Sequence, residues 1–264
     1  MLSSSKRSYA PARYGQQGWR LAGAPITLGP DAAFFAEIRM KRLGVITGEV
    51  WDENHLGIPN VRVTAYRAAK ALRPAATGES DDRGVFRIFG LTPGKYYVRT
   101  MPKELEEGHG LLPTFYGQTS QREGALLCDV RLEQETAGAN IEPAPGRLST
   151  LSITPNGPRN AVFTVSLQTD FGIKTLRAPG GEAAVFPELP PGNYEAFAEG
   201  VAPGVPPPDN RLSGYTRASV YKPTEAAVIH IGPWPKFSLT CRTDDHSGLG
   251  DQAAVHLGDS HAPG

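Results

Sequence analysis

The sequence has few cysteines, no excess of either charge and no long apolar run, and each shortage excludes a class of protein. Two cysteines among 264 residues, Cys128 and Cys241, cannot form a disulfide framework. No C-x-x-C spacing indicates a zinc or redox site, and whether the two thiols pair stays open. Lys plus Arg total 27 and Asp plus Glu total 27, so no basic stripe is indicated. Nucleic acid is therefore not an expected partner.

Membrane and export signals are also missing from the sequence as given. No segment reaches the roughly 18 consecutive apolar residues that a membrane helix needs. The amino terminus, MLSSSKRSYAPARYGQQGW, is basic but lacks the apolar core of a signal peptide. We expect a soluble chain with no membrane-spanning segment and no export signal in this sequence.

Motifs that indicate catalysis or nucleotide binding are absent. Neither G-x-S-x-G nor G-x-x-x-x-G-K-[ST] occurs. Asp259, Ser260 and His261 stand side by side, but neighbours on an extended strand point to opposite faces and cannot form a triad. We predict no catalytic residues, no metal site and no cofactor, which means that the chain is not an enzyme.

The carboxy-terminal stretch supports a rival interpretation, a metal-dependent hydrolase, because it concentrates side chains that bind zinc or calcium. They are Asp244, Asp245, His246, Asp251, His256, Asp259 and His261. Their spacing matches no standard site, so we favour a polar turn followed by a fraying terminus. The pair Asp81 and Asp82 is also open to calcium binding, but capping of a turn is the commoner role.

What the sequence does contain is turn-rich β structure. Its 30 glycines and 24 prolines fall between short apolar runs. In GVFRIFGLTPGKYYVRT, apolar residues alternate with a period of two, and Pro93 and Gly94 predict a type II turn in a hairpin-like pair of strands. The residues predicted to share the core are Val61, Val63, Phe86, Ile88, Tyr96 and Val98.

The same pattern recurs later in the chain. ELPPGNYEAFA repeats GLTPGKYYVRT with an offset of 98 residues, and LLPTFYGQ repeats YAPARYGQ with an offset of 102. We predict an all-β chain of tandem antiparallel β-sandwiches, transthyretin-like or immunoglobulin-like. Its predicted units are the end of one repeat (1–43), a full sandwich (44–145), a second sandwich (146–232) and the opening strands of another (233–264).

These motifs carry a family resemblance. ITGEVWDENHLGIPNVRVTAY followed by ESDDRGVFRIFGLTPGKYYVR resembles the carboxypeptidase regulatory-like domain, a transthyretin-like β-sandwich. The second unit departs from this pattern, with PGGEAAVF where DDRGVFRI stands. The resemblance implies a non-catalytic module of the bacterial envelope or the extracellular space.

A related group, the collagen-adhesin B-type domains, forms Lys-Asn crosslinks with the help of an acid after the same turn. Here that strand is KYYVRT and holds no acid. We therefore do not assign a crosslink between Lys41 and Asn140.

The candidate ligand-binding residues are the aromatic and amide side chains of the Tyr-Gly-Gln loops, namely Tyr14, Phe115, Tyr116 and Gln118. Exposed rings there would bind a glycan or an envelope protein, whereas a loop tyrosine more often packs over a sandwich edge. The function we predict is a structural or adhesive module, and a pure spacer without a ligand is the alternative. The oligomeric state stays open.

Overall fold

The computed structural model describes residues 2–29, 33–70, 72–106, 108–207 and 209–234. Within this part of the chain, regular structure is β-strand except for one 3₁₀ turn, Arg122–Gly124. No helix of the described residues is long and apolar enough to cross a membrane. Cys241, the acidic and histidine-rich stretch, and the predicted opening strands from residue 235 onward lie outside the described residues.

The first sandwich follows a short amino-terminal pair of strands. That pair is β1 (Ser3–Ser4) and β2 (Ala12–Arg13), which are antiparallel. The next nine strands are β3 (Gly44–Glu49), β4 (Arg62–Arg67), β5 (Arg73–Glu79), β6 (Val85–Leu91), β7 (Gly94–Thr100), β8 (Lys103–Glu106), β9 (His109–Leu111), β10 (Leu127–Val130) and β11 (Glu135–Thr136).

Two sheets of this set face each other across a core. One has the order β11-β3-β6 and the other the order β10-β7-β4-β5. The alternation in the sequence explains the core, because every second residue of each strand points between the sheets. The predicted core residues are confirmed as buried: Val61, Val63, Phe86, Ile88, Tyr96 and Val98.

The second sandwich is formed by the strands that follow β12 (Pro145–Arg147). They are β13 (Ser149–Asn156), β14 (Val162–Thr169), β15 (Gly172–Pro179), β16 (Ala184–Leu189), β17 (Gly192–Val201), β18 (Arg211–Val220), β19 (Thr224–His230) and β20 (Gly232–Pro233). Its sheets have the orders β16-β13-β19 and β15-β14-β17-β18-β20.

The two sandwiches share one topology. In each, the first long strand pairs antiparallel with the fourth and parallel with a strand near the end, as β3 does with β6 and β11 and β13 does with β16 and β19. The all-β tandem fold is therefore confirmed, with one parallel pairing in each otherwise antiparallel sandwich. The boundaries at residues 44, 146 and 233 stay predictions.

The predicted hairpin around Pro93 and Gly94 is wrong. Strands β6 and β7 lie in different sheets, so the Pro-Gly segment carries the chain from one sheet to the other. The φ of Gly94 is 148° rather than the roughly 80° of a type II turn. The alternation of apolar residues showed which side chains face the core. It does not show which strands pair, because strands that pair within a sheet and strands that face each other across the core have the same alternation.

A tyrosine fixes this crossing and the equivalent one between β16 and β17 of the second sandwich. The hydroxyl of Tyr96 donates to the carbonyl oxygen of Thr92 at 2.8 Å, and that of Tyr194 donates to the carbonyl oxygen of Pro190 at 2.6 Å. Both bonds span four residues, the arrangement known as a tyrosine corner. The repeated Tyr in the sequence therefore marks equivalent positions in the two sandwiches.

A small third sheet stands where the two sandwiches adjoin. It has the order β12-β9-β8, so the segment before the second sandwich pairs with the long loop of the first. This pairing explains why the loop MPKELEEGHGLLPTFYGQ is longer than a simple connection requires.

Candidate functional site

The predicted aromatic residue Phe115 lies inside the molecule. Its side chain is buried, its ring meets that of Tyr97 edge-on at 6.1 Å, and the guanidinium carbon of Arg99 lies 4.8 Å from its centroid. Tyr116, its neighbour, is half-buried and packs against the core of the first sandwich. In this geometry both rings stabilise the fold.

Gln118 also has structural contacts. Its side-chain Nε2 donates to the carbonyl oxygen of Asn140 at 3.0 Å, and its Oε1 accepts from the backbone N–H of Glu142 at 2.8 Å. The residue has a positive φ of 59°. The side chain thus attaches the Tyr-Gly-Gln loop to the end of the first sandwich.

Tyr14 occupies the matching position of the amino-terminal segment. Its N–H donates to the carbonyl of Leu2 at 3.0 Å and its carbonyl accepts from Ala24 at 2.8 Å. Tyr116 makes the same two bonds, to Val98 and from Leu126, both at 2.8 Å. The loops are therefore hydrogen-bonded alike.

The four predicted residues divide into two places. Phe115, Tyr116 and Gln118 share one loop, whereas the ring of Tyr14 packs edge-on against Phe34 at 5.3 Å. Among the described residues, no ring contact joins Tyr14 to Phe115 or Tyr116. Their role in ligand binding stays a prediction.

Asp81 caps a turn. Its Oδ1 accepts from the backbone N–H groups of Arg83 at 3.0 Å and Val85 at 2.9 Å. The hydrogen bond from the Arg83 side chain, with that from the Val85 N–H, lowers the pKa of the Asp81 carboxyl. The capping interpretation accounts for this aspartate.

The residues weighed for a crosslink have separate partners. The Nζ of Lys41 lies 3.5 Å from Oε2 of Glu133, and Oδ1 of Asn140 accepts from the N–H of Glu49 at 3.0 Å. The geometry offers no reason to pair the lysine with the asparagine.

A second feature, which we did not predict from the sequence, is burial of the outer face of one sheet. Thr64 and Tyr66 on β4 and Arg99 on β7 alternate with core residues and so point away from the core, yet all three are buried. Phe115 covers part of this face through its contact with Arg99. The second sandwich contacts Tyr66 and Arg99 on the same face.

The tip of a hairpin from the second sandwich touches this face. Asp170 and Phe171 turn the chain between β14 and β15, and Phe171 is only 8 % exposed although it lies at a hairpin tip. The hydroxyl of Tyr66 lies 3.5 Å from the carbonyl oxygen of Phe171, and Nη1 of Arg99 lies 3.4 Å from that of Asp170. We call these four residues the junction.

Burial changes the proton affinities at the junction. It raises the pKa of the hydroxyls of Tyr66 and Tyr194, and it lowers the pKa of Arg99. The Tyr194 shift has a second cause in the nearby Asp170 carboxylate. The junction is therefore a poorly solvated environment in which charge is costly.

One cleft adjoins the junction. It has a volume of about 380 Å³ and is lined by Arg99, Asp170, Phe171 and Tyr194 among others. A second cleft, of about 320 Å³, is lined by residues that include Ser149. One lining residue of each cleft has a buried polar atom without a hydrogen-bond partner, Nε of Arg99 and Oγ of Ser149.

The serine of one cleft is not arranged as an activated nucleophile. A serine nucleophile needs a base within hydrogen-bond reach, and Oγ of Ser149 has no partner among the described residues. Nor do three or more His, Cys, Asp or Glu side chains group as metal ligands within the described ranges. The hydrolase interpretation depends on residues outside those ranges.

Sequence reasoning missed Tyr66 and Arg99 because it assumed one buried face per strand. A signal was present: the outward positions of β4 and β7 include the large aromatic residues Tyr66 and Tyr97. Bulky apolar side chains on both faces indicate a sheet that is covered on both sides. What covers the second face cannot be read from one strand.

Comparisons with known proteins leave the family open. No family model and no curated protein matches the chain. The resemblance to the carboxypeptidase regulatory-like domain therefore stays a prediction.

Solved structures show weak similarity. The TIE protein of Bacillus anthracis is 13% identical with a TM-score of 0.28, over 75% of this chain and 37% of that one. A minor pilin of Streptococcus agalactiae is 12% identical with a TM-score of 0.30, over 75% and 99%. A streptococcal ancillary pilin is 11% identical with a TM-score of 0.27, over 79% and 73%. At these values the similarities support no function.

Proposed function

We propose that this chain is a non-catalytic structural module in which two β-sandwiches are held together as one rigid unit. The observation that carries the proposal is the buried hairpin tip at Asp170 and Phe171, which meets Tyr66 and Arg99 of the first sandwich. Freely linked domains would leave such a tip in solvent, because relative motion is the usual behaviour across small polar interfaces. A rigid pair of sandwiches is suited to holding other domains at a fixed distance from each other.

The packing of the predicted ligand residues supports a structural role over an adhesive one. Phe115 is buried, Tyr116 is half-buried on the core, and both polar ends of the Gln118 side chain are bonded to the backbone. Adhesive loops normally present such side chains to a partner. Binding of a glycan or an envelope protein through this loop is the second candidate, and it would require the loop to open.

The compartment we propose is the bacterial envelope or the extracellular space. Support comes from the resemblance to the carboxypeptidase regulatory-like domain, and membership of that family is part of the proposal. Fractionation of the encoding bacterium, followed by detection with an antibody, tests it. Recovery of the protein in the cytoplasmic fraction alone would contradict this location.

Spin-label distance measurements test the rigid unit. Ala75 on β5 and Ala226 on β19 are exposed and accept cysteine labels once Cys128 and Cys241 are replaced by alanine. We expect one narrow distance distribution that becomes broad in Phe171→Asp, which places a charge in the buried tip. Ile173→Asp is the matched control, since Ile173 follows in the same hairpin and is 65 % exposed. A broad distribution in the labelled parent protein would contradict the proposal.

A further inference from the structure

Arg99 is a buried cation without a counter-ion. The residue is 7 % exposed, and no carboxylate of the described residues lies within ion-pairing distance of its guanidinium. Its contacts are the carbonyl oxygen of Asp170 at 3.4 Å and the face of the Phe115 ring at 4.8 Å. An arginine keeps its proton in proteins, so the charge itself persists.

The guanidinium also has an unused donor. Nη1 faces Asp170, whereas the buried Nε has no hydrogen-bond partner. Nε itself is closed off by its neighbours, so the charge of the guanidinium and not this atom is what an anion in the cleft would pair with. Burying a charged group without a counter-ion costs free energy, and an anion bound beside the guanidinium would offset that cost.

The surroundings of Arg99 offer space and apolar surface. The cleft of about 380 Å³ that Arg99 lines also has walls from Leu112, Pro113, Phe171 and Pro191. Its volume falls within the roughly 300–1,000 Å³ of small-molecule sites, and apolar walls with a few polar groups are typical of such sites. A ligand that fits therefore carries one negative group on an apolar body.

We propose that this cleft binds a carboxylate attached to an apolar group, with the guanidinium of Arg99 as the counter-ion. Two sources share this chemistry, a small aromatic acid and the free carboxyl terminus of a peptide that ends in an apolar residue. The inference adds a ligand to the proposed structural role and requires a formed junction. Spin-label distances measure whether the junction holds the sandwiches together, and ligand titrations measure whether the cleft binds an acid. One proposal can therefore be contradicted without the other.

Asp170 provides an internal alternative. Its exposed side chain acts electrostatically on Arg99 without forming an ion pair. If this carboxylate were the functional counter-ion, an added acid would compete with it. In that case the acids would bind only after Asp170→Asn removes the competitor, whereas a ligand site binds them in the parent protein and keeps or gains affinity in Asp170→Asn.

Calorimetric titration of the full chain tests the proposal with phenylacetate and with N-acetyl-Gly-Phe. We expect at least one of the acids to bind, and at least tenfold more tightly than its uncharged amide. Binding should disappear in Arg99→Met and persist in Asp170→Asn. Binding of phenylacetate alone identifies a small acid as the ligand, and preference for the peptide identifies a carboxyl terminus.

A blocking variant keeps the test valid if Arg99→Met unfolds. Gly192 lines the cleft, and a Cβ there meets only Cε2 of Tyr194 at 3.8 Å, so Gly192→Leu fills the cleft while the fold is kept. Gly232→Leu is the matched control, because nothing lies within 4 Å of a Cβ at that position. We expect binding to be lost in the first variant and kept in the second.

Four results would overturn the inference. They are absence of binding by both acids at millimolar concentration, equal binding of acid and amide, unchanged binding in a folded Gly192→Leu, and sulfate that binds as tightly as the acids.

Discussion

The two sandwiches have the same strand order but fill it with different residues. On the fourth strand the first sandwich places Phe86 and Ile88 in its core, where the second has Ala184 and Phe186. In the second sandwich the phenylalanine ring stands two positions later on the same face of this strand, so it still lies in the core. Both sandwiches therefore bury the same face of this strand and change sheet at the same point in the chain, while the individual core side chains differ.

The largest expected effect concerns the two corner tyrosines. Tyr96→Ala should destabilise the protein by about 3–5 kcal/mol, because it removes a buried ring and its hydrogen bond to Thr92. Tyr194→Ala should fall at the lower end of this range, since Tyr194 is slightly more exposed. Guanidinium unfolding followed by circular dichroism measures both. A neutral effect at either position would show that the two corners are not equivalent.

The next effect depends on pH and arises from a thiol that faces the corner tyrosine in the first sandwich only. Cys128 lies opposite Tyr96, whereas Ala218 lies opposite Tyr194. Burial raises the pKa of the Cys128 thiol from 9.0 to about 11. Between these values the unfolded thiol loses its proton while the folded one keeps it, so this stabilisation is complete below pH 9 and is lost as pH rises to about 11.

Denaturant unfolding at pH 8 and pH 10.5 measures this dependence. The loss attributable to Cys128 should be on the order of 2 kcal/mol, given about 1.4 kcal/mol for each unit of pKa. Cys128→Ala is the control and should lose correspondingly less stability over the same pH interval. Equal losses in the two proteins would contradict the burial argument.

Ser80 and Gly180 give a third contrast. The Ser80 hydroxyl donates to the carbonyl of Ile58 at 2.7 Å and accepts from the N–H of Val61 at 2.9 Å. Ser80→Ala leaves both backbone groups unpaired and should cost about 1–3 kcal/mol. Gly180 lies at the corresponding place, because its backbone N–H bonds to the carbonyl of Ala161 as that of Ser80 bonds to the carbonyl of Val61. It has no side chain that could pair the neighbouring backbone groups.

The reverse substitution at Gly180 checks this contrast by the same unfolding measurement. Gly180→Ser should also destabilise, because a Cβ at this position meets the backbone carbonyl oxygen of Pro158 closer than van der Waals contact allows. A stabilising Gly180→Ser would show that the two positions differ in ways these contacts do not explain.

The smallest effect concerns a bulge that both sandwiches contain. The register shifts next to Gly90 in the first and next to Glu188 in the second, and these residues have φ values of 80° and 56°. Gly90→Ala should cost about 1 kcal/mol, because only glycine adopts this conformation freely and a Cβ there meets nothing within 4 Å.

Glu188→Gly should stabilise by about 1 kcal/mol or less, since relief of the backbone strain is partly offset by the flexibility of glycine in the unfolded chain. Thermal unfolding measures both variants. Opposite signs are expected, and the same sign in both would contradict the shared bulge.

The residues that the sequence could identify are those whose environment is set locally. Alternation placed Val61, Phe86 and Val98 in the core, and the spacing of Tyr96 and Tyr194 located equivalent corners. Strand pairing was not available from alternation, which is why the Pro93 crossing was interpreted as a hairpin. The junction was inaccessible for a related reason, because the burial of Tyr66 and Arg99 depends on a hairpin tip about 70 to 100 residues later in the chain.

We infer that the two sandwiches move as one body because Asp170 and Phe171 contact Tyr66 and Arg99. Backbone ¹⁵N relaxation tests it most directly, because it reports the tumbling of each sandwich separately. The account predicts one rotational correlation time for both sandwiches, equal to that of the whole chain. Two different and shorter correlation times, each typical of a single sandwich, would contradict it.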